Sequence, residues 1–111
     1  MNHEKLDCYK MLLKSAEDIA KIVTKWRRGY ANLSDQLMRA MTSAVLNLSE
    51  GNAKRSSSKD RRRFFEISLG SIAEVASCLD LAKAFGLISE IQKEYLKSSL
   101  KLAYIKIQAL P

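Results

Sequence analysis

Apolar residues recur at alternating steps of three and four along most of the chain, and this periodicity constrains the fold more than any other sequence feature. Such steps mark one face of an α-helix, and one proline and four glycines leave few points at which helices would break. The pattern therefore predicts an all-α protein. A chain of 111 residues, 47% of them apolar, is long enough for one core, so we expect a single domain over residues 1–111.

The first half of the chain predicts two amphipathic helices. The first carries apolar residues on one side and charged residues on the other, and it ends near Arg28 with Gly29 as a left-handed cap. A short connector follows. Asn32 or Ser34 is expected to cap the second helix, whose far end is weakened by Gly51.

A third helix is predicted from about Lys59 to Phe85. Ser57 or Ser58 can accept hydrogen bonds from its first free amides, and Gly86 is its expected stop. Its apolar and small residues occupy nearly the whole circumference of the helix. Because one bundle face needs fewer, we expect this helix to be buried on two sides.

A fourth helix is predicted from the capping box of Ser89 and Gln92 to about Leu110, and it too has two apolar stripes. Four helices of about 18 to 27 residues with short connectors predict an antiparallel up-down-up-down four-helix bundle. The surplus apolar surface of the third and fourth helices predicts that copies of the chain associate with one another.

Few side chains offer metal, cofactor or histidine chemistry. Cys8 and Cys78 lie 70 positions apart, so neither a disulfide framework nor a thiol metal site is indicated, and a reducing cytosol fits best. His3 is the only histidine, and we expect it to be solvated. No Gly-rich phosphate loop and no stretch of about 20 apolar residues is present. We therefore expect a cytoplasmic protein without metal, cofactor or membrane span.

Most of the net charge of +7 lies in residues 52–63 (NAKRSSSKDRRR), where six basic side chains face a single acid. Guanidinium groups beside a free helix N-terminus offer charge-assisted hydrogen bonds to phosphate oxygens, so we expect nucleic-acid binding here. The candidate binding residues, including a second group in the first helix and its connector, are Lys54, Arg55, Lys59, Arg61, Arg62, Arg63, Lys21, Lys25, Arg27 and Arg28. A solvated surface and a protein contact are the alternatives. Trp26 and Tyr30 could stack on bases, although such aromatic residues more often belong to the core.

A line of polar residues runs beside the apolar stripe of the second helix. Glu50 on this line and Glu74 on the third helix could face one another as a paired-carboxylate site. The stronger interpretation is a polar network that organises the bundle, because buried charges persist only when they are paired. Its members, within one chain or across an interface, are Arg39, Asn47, Glu50, Arg55, Ser71 and Glu74.

Two blocks of the chain, residues 39–55 (RAMTSAVLNLSEGNAKR) and 64–88 (FFEISLGSIAEVASCLDLAKAFGLI), resemble a known family. This is the family of four-helix-bundle proteins encoded by 23S ribosomal RNA intervening sequences and by many other bacterial loci. The most specific positions are Asn47, Glu50, Gly51, Arg55, Gly70, Ser71 and Glu74. The resemblance implies an antiparallel bundle assembled as a homopentamer, and it implies no established enzyme activity. The accessory variability proteins of diversity-generating retroelements, basic pentameric barrels that bind a reverse transcriptase and its RNA, are similar in fold.

Three functions follow as hypotheses. The first is a non-enzymatic ring whose basic segments bind RNA or DNA backbone without reading sequence. In that case, replacing Arg61, Arg62 and Arg63 with alanine should weaken binding without melting the bundle. The second is a protein-interaction scaffold, or an accessory subunit of a nucleic-acid enzyme such as a reverse transcriptase. The third is an enzyme that uses Glu50 and Glu74 in a water-accessible pocket.

Overall fold

A computed structural model describes residues 2–111 of the chain, apart from the side chain of Lys5. Within these residues the fold is all-α, with four long helices and no strand, as the periodicity predicts. The helices are α1 (Asp7–Val23), α2 (Ala31–Asn52), α3 (Lys59–Ala84) and α4 (Glu90–Gln108). Two short 3-10 turns, Asn2–Lys5 and Arg28–Tyr30, precede α1 and α2.

The helices pack side by side in a body of 43 × 23 × 20 Å. The most extensive packing joins α2 to α3, while α1 packs on α2 and α4, and α3 packs on α4. Contacts at the helix ends fix which ends meet. Asp7 at the start of α1 pairs with Lys106 near the end of α4 at 3.9 Å, and the ring of Tyr30 lies 5.8 Å from that of Phe85.

All four helices contribute to one cluster of buried apolar residues. The largest fully buried apolar side chains are Leu12, Ile19, Leu37, Met41, Leu48, Phe65, Val75, Leu79, Leu96, Leu100 and Ile107. No helix among residues 2–111 is long and apolar enough to cross a membrane.

Small residues allow α2 and α3 to approach closely. A Cβ atom added to Gly51 would lie 2.7 Å from the ring of Phe65, so any other residue at position 51 would require this buried aromatic ring to shift. Further along the same contact, the buried hydroxyl of Ser68 donates to the carbonyl oxygen of Ala44 at 2.7 Å. This bond spans the two helices and satisfies a polar group that would otherwise be costly to bury.

The predicted boundaries of α3 and α4 are confirmed. The hydroxyl of Ser58 accepts the amide of Arg61 at the start of α3, and Gly86 beyond its end has a φ of +75°. Ser89 and Gln92 form the predicted capping box at the start of α4, each side chain accepting the other residue's backbone amide.

The predicted end of the first helix is wrong, because α1 stops at Val23 rather than near Arg28. Beyond that point the amides of Lys25 and Trp26 bond three residues back, which tightens the chain out of the α-helix. Trp26 then packs against the core. Gly29 belongs to a 3-10 turn and is not a left-handed cap.

The predicted cap of the second helix is also wrong. The helix α2 begins at Ala31, before Asn32 and Ser34, and its N-cap residue Tyr30 makes no side-chain capping bond. The amide of Ala31 bonds the carbonyl oxygen of Arg28, so the 3-10 turn runs directly into the helix. The turn therefore supplies a backbone hydrogen-bond partner at the start of α2, where a polar N-cap side chain would otherwise accept from the free amides.

Candidate nucleic-acid interface

The connector between α2 and α3 presents the start of a 26-residue helix to solvent. Ser57 adopts a left-handed φ of 63°, which turns the chain so that Ser58 can cap α3. The Ser58 hydroxyl accepts the amide of Arg61 at 3.1 Å. The positive end of the α3 helix dipole therefore lies among the basic residues of the connector.

Five basic residues surround this helix start with their charged groups available, and we call them the connector cations: Lys54, Arg55, Lys59, Arg62 and Arg63. All are exposed except Lys54, which is partly buried and lies 3.8 Å from a carboxylate oxygen of Glu50. The side chains of Arg55 and Lys59 have no hydrogen bond or ion pair with any described residue.

Three of the connector cations are oriented by weak contacts. Arg62 donates from Nη2 to the carbonyl oxygen of Leu110 at 3.3 Å, and Arg63 lies 5.8 Å from the centre of the Phe64 ring. Lys54 approaches the same ring at 5.5 Å. Since these contacts leave donors on each cation unused, the group can still bind an external anion.

A shallow cavity of about 400 Å³ opens at the connector. Its lining residues are Lys54, Arg55, Ser58, Lys59 and Asp60. Three cations and a helix N-terminus thus converge on one opening, where the only acid in the lining is Asp60. The cavity combines the donors and positive potential that favour a phosphate group.

The structure gives Arg61 a different place from the one predicted. Its side chain is 9% exposed and lies 4.9 Å over the ring of Phe65. Its Nε donates to the carbonyl oxygen of Pro111 at 2.6 Å. The prediction that Arg61 contacts nucleic acid with its two neighbours therefore does not hold for this residue, because its guanidinium group already has partners inside the protein.

The same side chain closes the end of α2. Arg61 Nη1 donates to the carbonyl oxygens of Gly51, Asn52 and Lys54 at 3.3–3.4 Å. Carbonyl groups at a helix C-terminus lack partners and carry partial negative charge, which a cation stabilises. Because α2 has no basic residue in its own last turn, Arg61 supplies that cation from α3.

The second predicted group of cations lies at the other end of the molecule. Lys21 shares a shallow cavity with Gln92 and Tyr95 at the start of α4, whereas Arg62 contacts Leu110 beyond the end of that helix. The 19 residues of α4 separate these points by about 28 Å at 1.5 Å per residue. The remaining members of the second group, all exposed, are Lys25, Arg27 and Arg28.

The aromatic residues beside this second group face the protein. Trp26 packs against the core, and its buried indole Nε1 has no hydrogen-bond partner among the described residues. Tyr30 is partly buried between Phe85 and Arg27, whose guanidinium carbon lies 5.7 Å from its ring centre. These contacts favour the core interpretation over base stacking for Trp26.

Within one chain, the structure connects two members of the predicted polar network. The hydroxyls of Ser43 and Ser71 are 2.7 Å apart, and Asn47 Nδ2 donates to the Ser43 hydroxyl at 3.1 Å. Ser43, which lies on the same polar line of α2, is therefore the residue that links Asn47 to Ser71.

The charged members of the network do not meet within one chain. Glu50 pairs with Lys54 on the α2 side of the connector, and the exposed carboxylate of Glu74 has no hydrogen bond or ion pair among the described residues. Arg39 and Arg55 are exposed and equally unpaired within residues 2–111. A network across an interface between copies stays a prediction.

The two cysteines are buried, free thiols. Burial raises the pKa of both Cys8 and Cys78, which keeps the thiols protonated and poorly nucleophilic at neutral pH. Among residues 2–111, no group of three or more His, Cys, Asp and Glu side chains could hold a metal ion.

Sequence reasoning missed the role of Arg61, although a signal for it was present. Arg61, Phe65 and Ser68 follow at steps of four and three, so they share one face of α3, and that face is buried. Its contact with Pro111 joins positions 50 residues apart, and no local pattern predicts such a contact.

The fold and the connector cations define a class: a small basic protein of four α-helices with most of its positive charge at one connector. A family model narrows this class further. The model described as 23S rRNA-intervening sequence protein matches residues 4–108, so the chain belongs to that family. The match covers all four helices, beyond the two blocks that carry the resemblance in the sequence. No match was found among curated proteins.

Proposed function

We propose that the protein is a non-enzymatic, ring-forming bundle that binds the phosphate backbone of RNA or DNA through the connector cations. The observation that carries this proposal is the convergence of Lys54, Arg55 and Lys59 on one cavity at the start of α3. Arg62 and Arg63 lie exposed beside it. Contacts to phosphate position a nucleic acid without reading its bases, so this arrangement favours binding that is independent of sequence.

We further propose that the bundle is antiparallel, up-down-up-down, and that five copies form a ring. The contacts of Asp7 with Lys106 and of Tyr30 with Phe85 support opposite directions for α1 and α4 and for the successive helices α2 and α3. The pentamer rests on the family resemblance. Five chains of +7 would carry about +35, enough to concentrate a polyanion at the ring surface.

The test of this proposal is binding of a fluorescein-labelled single-stranded RNA, and of DNA of the same sequence, measured by fluorescence anisotropy. We expect affinity to fall steeply between about 50 and 200 mM salt, because cations that contact phosphates displace bound counterions. The variant Arg55→Ala/Arg62→Ala/Arg63→Ala should bind more weakly. Its plot of log affinity against log salt should be shallower, by about 0.7 for each phosphate group that the variant no longer neutralises.

A charge-matched variant separates this site from the total charge. Lys21→Ala/Lys25→Ala/Arg28→Ala removes three exposed cations at the opposite end of the molecule and should leave most of the affinity and the salt slope intact. Equal losses in both triple variants would contradict a localised site. An oligomer that binds neither RNA nor DNA at low salt would overturn the nucleic-acid proposal and favour the scaffold for a protein partner.

A further inference from the structure

The outward face of α4 carries an apolar row that the chain itself leaves uncovered. The row follows steps of four and three and consists of Ile91, Tyr95, Ser98, Leu102, Ile105 and Ala109. Its four large side chains are 81%, 56%, 49% and 51% exposed, in the order Ile91, Tyr95, Leu102 and Ile105. The core packing of α4 uses the opposite face, so this row is surplus to the bundle.

The spacing of this row indicates what covers it. Alternating steps of four and three average 3.5 residues, which is the repeat of a seam between two packed helices. The row extends over nearly the whole length of α4. A second helix lying along α4 would therefore match the row more closely than a small ligand or a flat surface would.

The outward face of α3 offers a row of the same spacing, in which the small residues Gly70 and Ser77 flank Glu74. Its members are Ile67, Gly70, Glu74, Ser77, Leu81 and Ala84, and all are exposed. The large side chains of the α4 row can pack over Gly70 and Ser77, because small residues leave room for the large side chains of a facing helix.

Gly70 gives independent support for a close neighbour at this row. A glycine inside a helix costs about 1 kcal/mol relative to alanine. Gly51 has a reason within the chain, since Phe65 leaves no room for a Cβ atom, but a Cβ atom at Gly70 would meet nothing within 4 Å. Nothing within the chain therefore requires glycine at position 70, and the open space over this backbone can accept a side chain of a neighbouring copy.

The charges beside the two rows are also complementary. Lys93, Lys97 and Lys106 on α4 each pair with an acid of the same chain. Lys101, next to Leu102 of the apolar row, is exposed and has no such partner among the described residues. Glu74, in the middle of the α3 row, is equally unpaired.

We propose that the apolar row of α4 in one copy packs on the α3 row of a second copy, with its large side chains over Gly70 and Ser77 and Lys101 near Glu74. This inference rests on the self-association proposed above and names its surfaces. Each contact uses the α4 row of one copy and the α3 row of the other. Each of the two copies therefore still has one unused row that can bind a further copy. Repetition of such a head-to-tail contact closes a ring when the rotation permits.

A symmetric contact of α4 with α4 accounts for fewer observations. Two copies of α4 could pack antiparallel through the same apolar row. The numbers of facing residues then sum to 200, so that Tyr95 of one copy faces Ile105 of the other. Lys101 then lies beside the same residue of the second copy, which is unfavourable. Gly70 also stays unexplained.

The experiment uses one variant on each row and measures mass by light scattering after gel filtration. Leu102→Glu places a charge in the α4 row, and Gly70→Gln places a bulky helix-forming residue in the α3 row. We expect each variant to fall to the mass of one chain, 12.5 kDa, with unchanged helical circular dichroism. The dissociation constant should rise at least about 30-fold. Leu13→Glu, at a comparably exposed apolar residue of α1, should stay assembled.

Mixing the two variants tests the head-to-tail arrangement. Each retains one intact row, so an equimolar mixture should form a dimer of about twice 12.5 kDa that neither variant forms alone. A Gly70→Gln protein that stays assembled, or a mixture that stays monomeric, overturns the proposed α4–α3 contact. An unmodified chain that is monomeric would overturn self-association itself, whereas an oligomer unaffected by both variants would overturn only the contact surfaces.

Discussion

Arg61→Ala should destabilise the protein, although its neighbour Arg62 can be replaced at little cost. The substitution removes a 2.6 Å charge-assisted bond to Pro111, three longer bonds to the carbonyl groups of the α2 end and connector, and the packing on Phe65. A hydrogen bond from a charged group contributes about 1.5–3 kcal/mol, and the longer bonds contribute less. We therefore expect the free energy of unfolding to fall by about 2–4 kcal/mol.

Thermal unfolding followed by circular dichroism at one fixed protein concentration measures this decrease. For a chain of this length, an unfolding entropy of about 2.1 cal/mol/K per residue converts it into a decrease in Tm of roughly 8–17 °C. Arg62→Ala is the matched control, because Arg62 is exposed and makes one 3.3 Å bond to Leu110. Its Tm should fall by no more than about 2 °C.

Arg61→Lys tests the physical reason for the effect. A lysine keeps the charge but has no planar fork, so it cannot reach Pro111 and the end of α2 together, and we expect an intermediate Tm. If Arg61→Ala unfolds within about 2 °C of Arg62→Ala, then Arg61 does not stabilise the fold as described.

Two further predictions concern the core. Gly51→Ala should lower the free energy of unfolding, measured in urea, by about 1–3 kcal/mol, because the added Cβ atom meets the Phe65 ring. A gain in stability would show instead that the ring can move aside. The raised pKa values of Cys8 and Cys78 predict that their contribution to stability is fully present below the pKa of an unfolded thiol. This contribution is lost as the pH rises through the folded pKa. The free energy of unfolding measured in urea should therefore be lower at alkaline pH than at neutral pH. This decrease should be smaller in Cys8→Ala/Cys78→Ala, and an equal decrease would refute the thiol contribution.

The periodicity of the sequence predicted the four helices, and local signals predicted the ends of α3 and α4. Ser58, Gly86 and Ser89 act within one turn of the helix end that they mark, so nearby residues are enough to identify them. The connector of α1 and α2 could not be predicted in this way. Its path depends on the packing of Trp26 and on the contact of Tyr30 with Phe85, which lies far along the chain.

The candidate site shows the same division between local and distant causes. Composition alone located the basic segment, since six of the twelve residues in 52–63 are cations. Composition could not separate Arg61 from Arg62 and Arg63. Successive residues of a helix point about 100° apart, so one of three adjacent arginines is buried over Phe65 while the other two stay exposed.

The burial of Arg61 also bears on how the neighbouring cations could bind a phosphate backbone. By joining the end of α2 to Pro111, Arg61 fixes the two helix ends between which the connector runs. Arg55 and Lys59 are then held near a common cavity before any ligand arrives, so their binding costs less conformational entropy. The sequence places a structural arginine directly before two exposed ones, and the proposed interface depends on that order. Loss of Arg61 should therefore weaken nucleic-acid binding even though its guanidinium group makes no contact with the ligand.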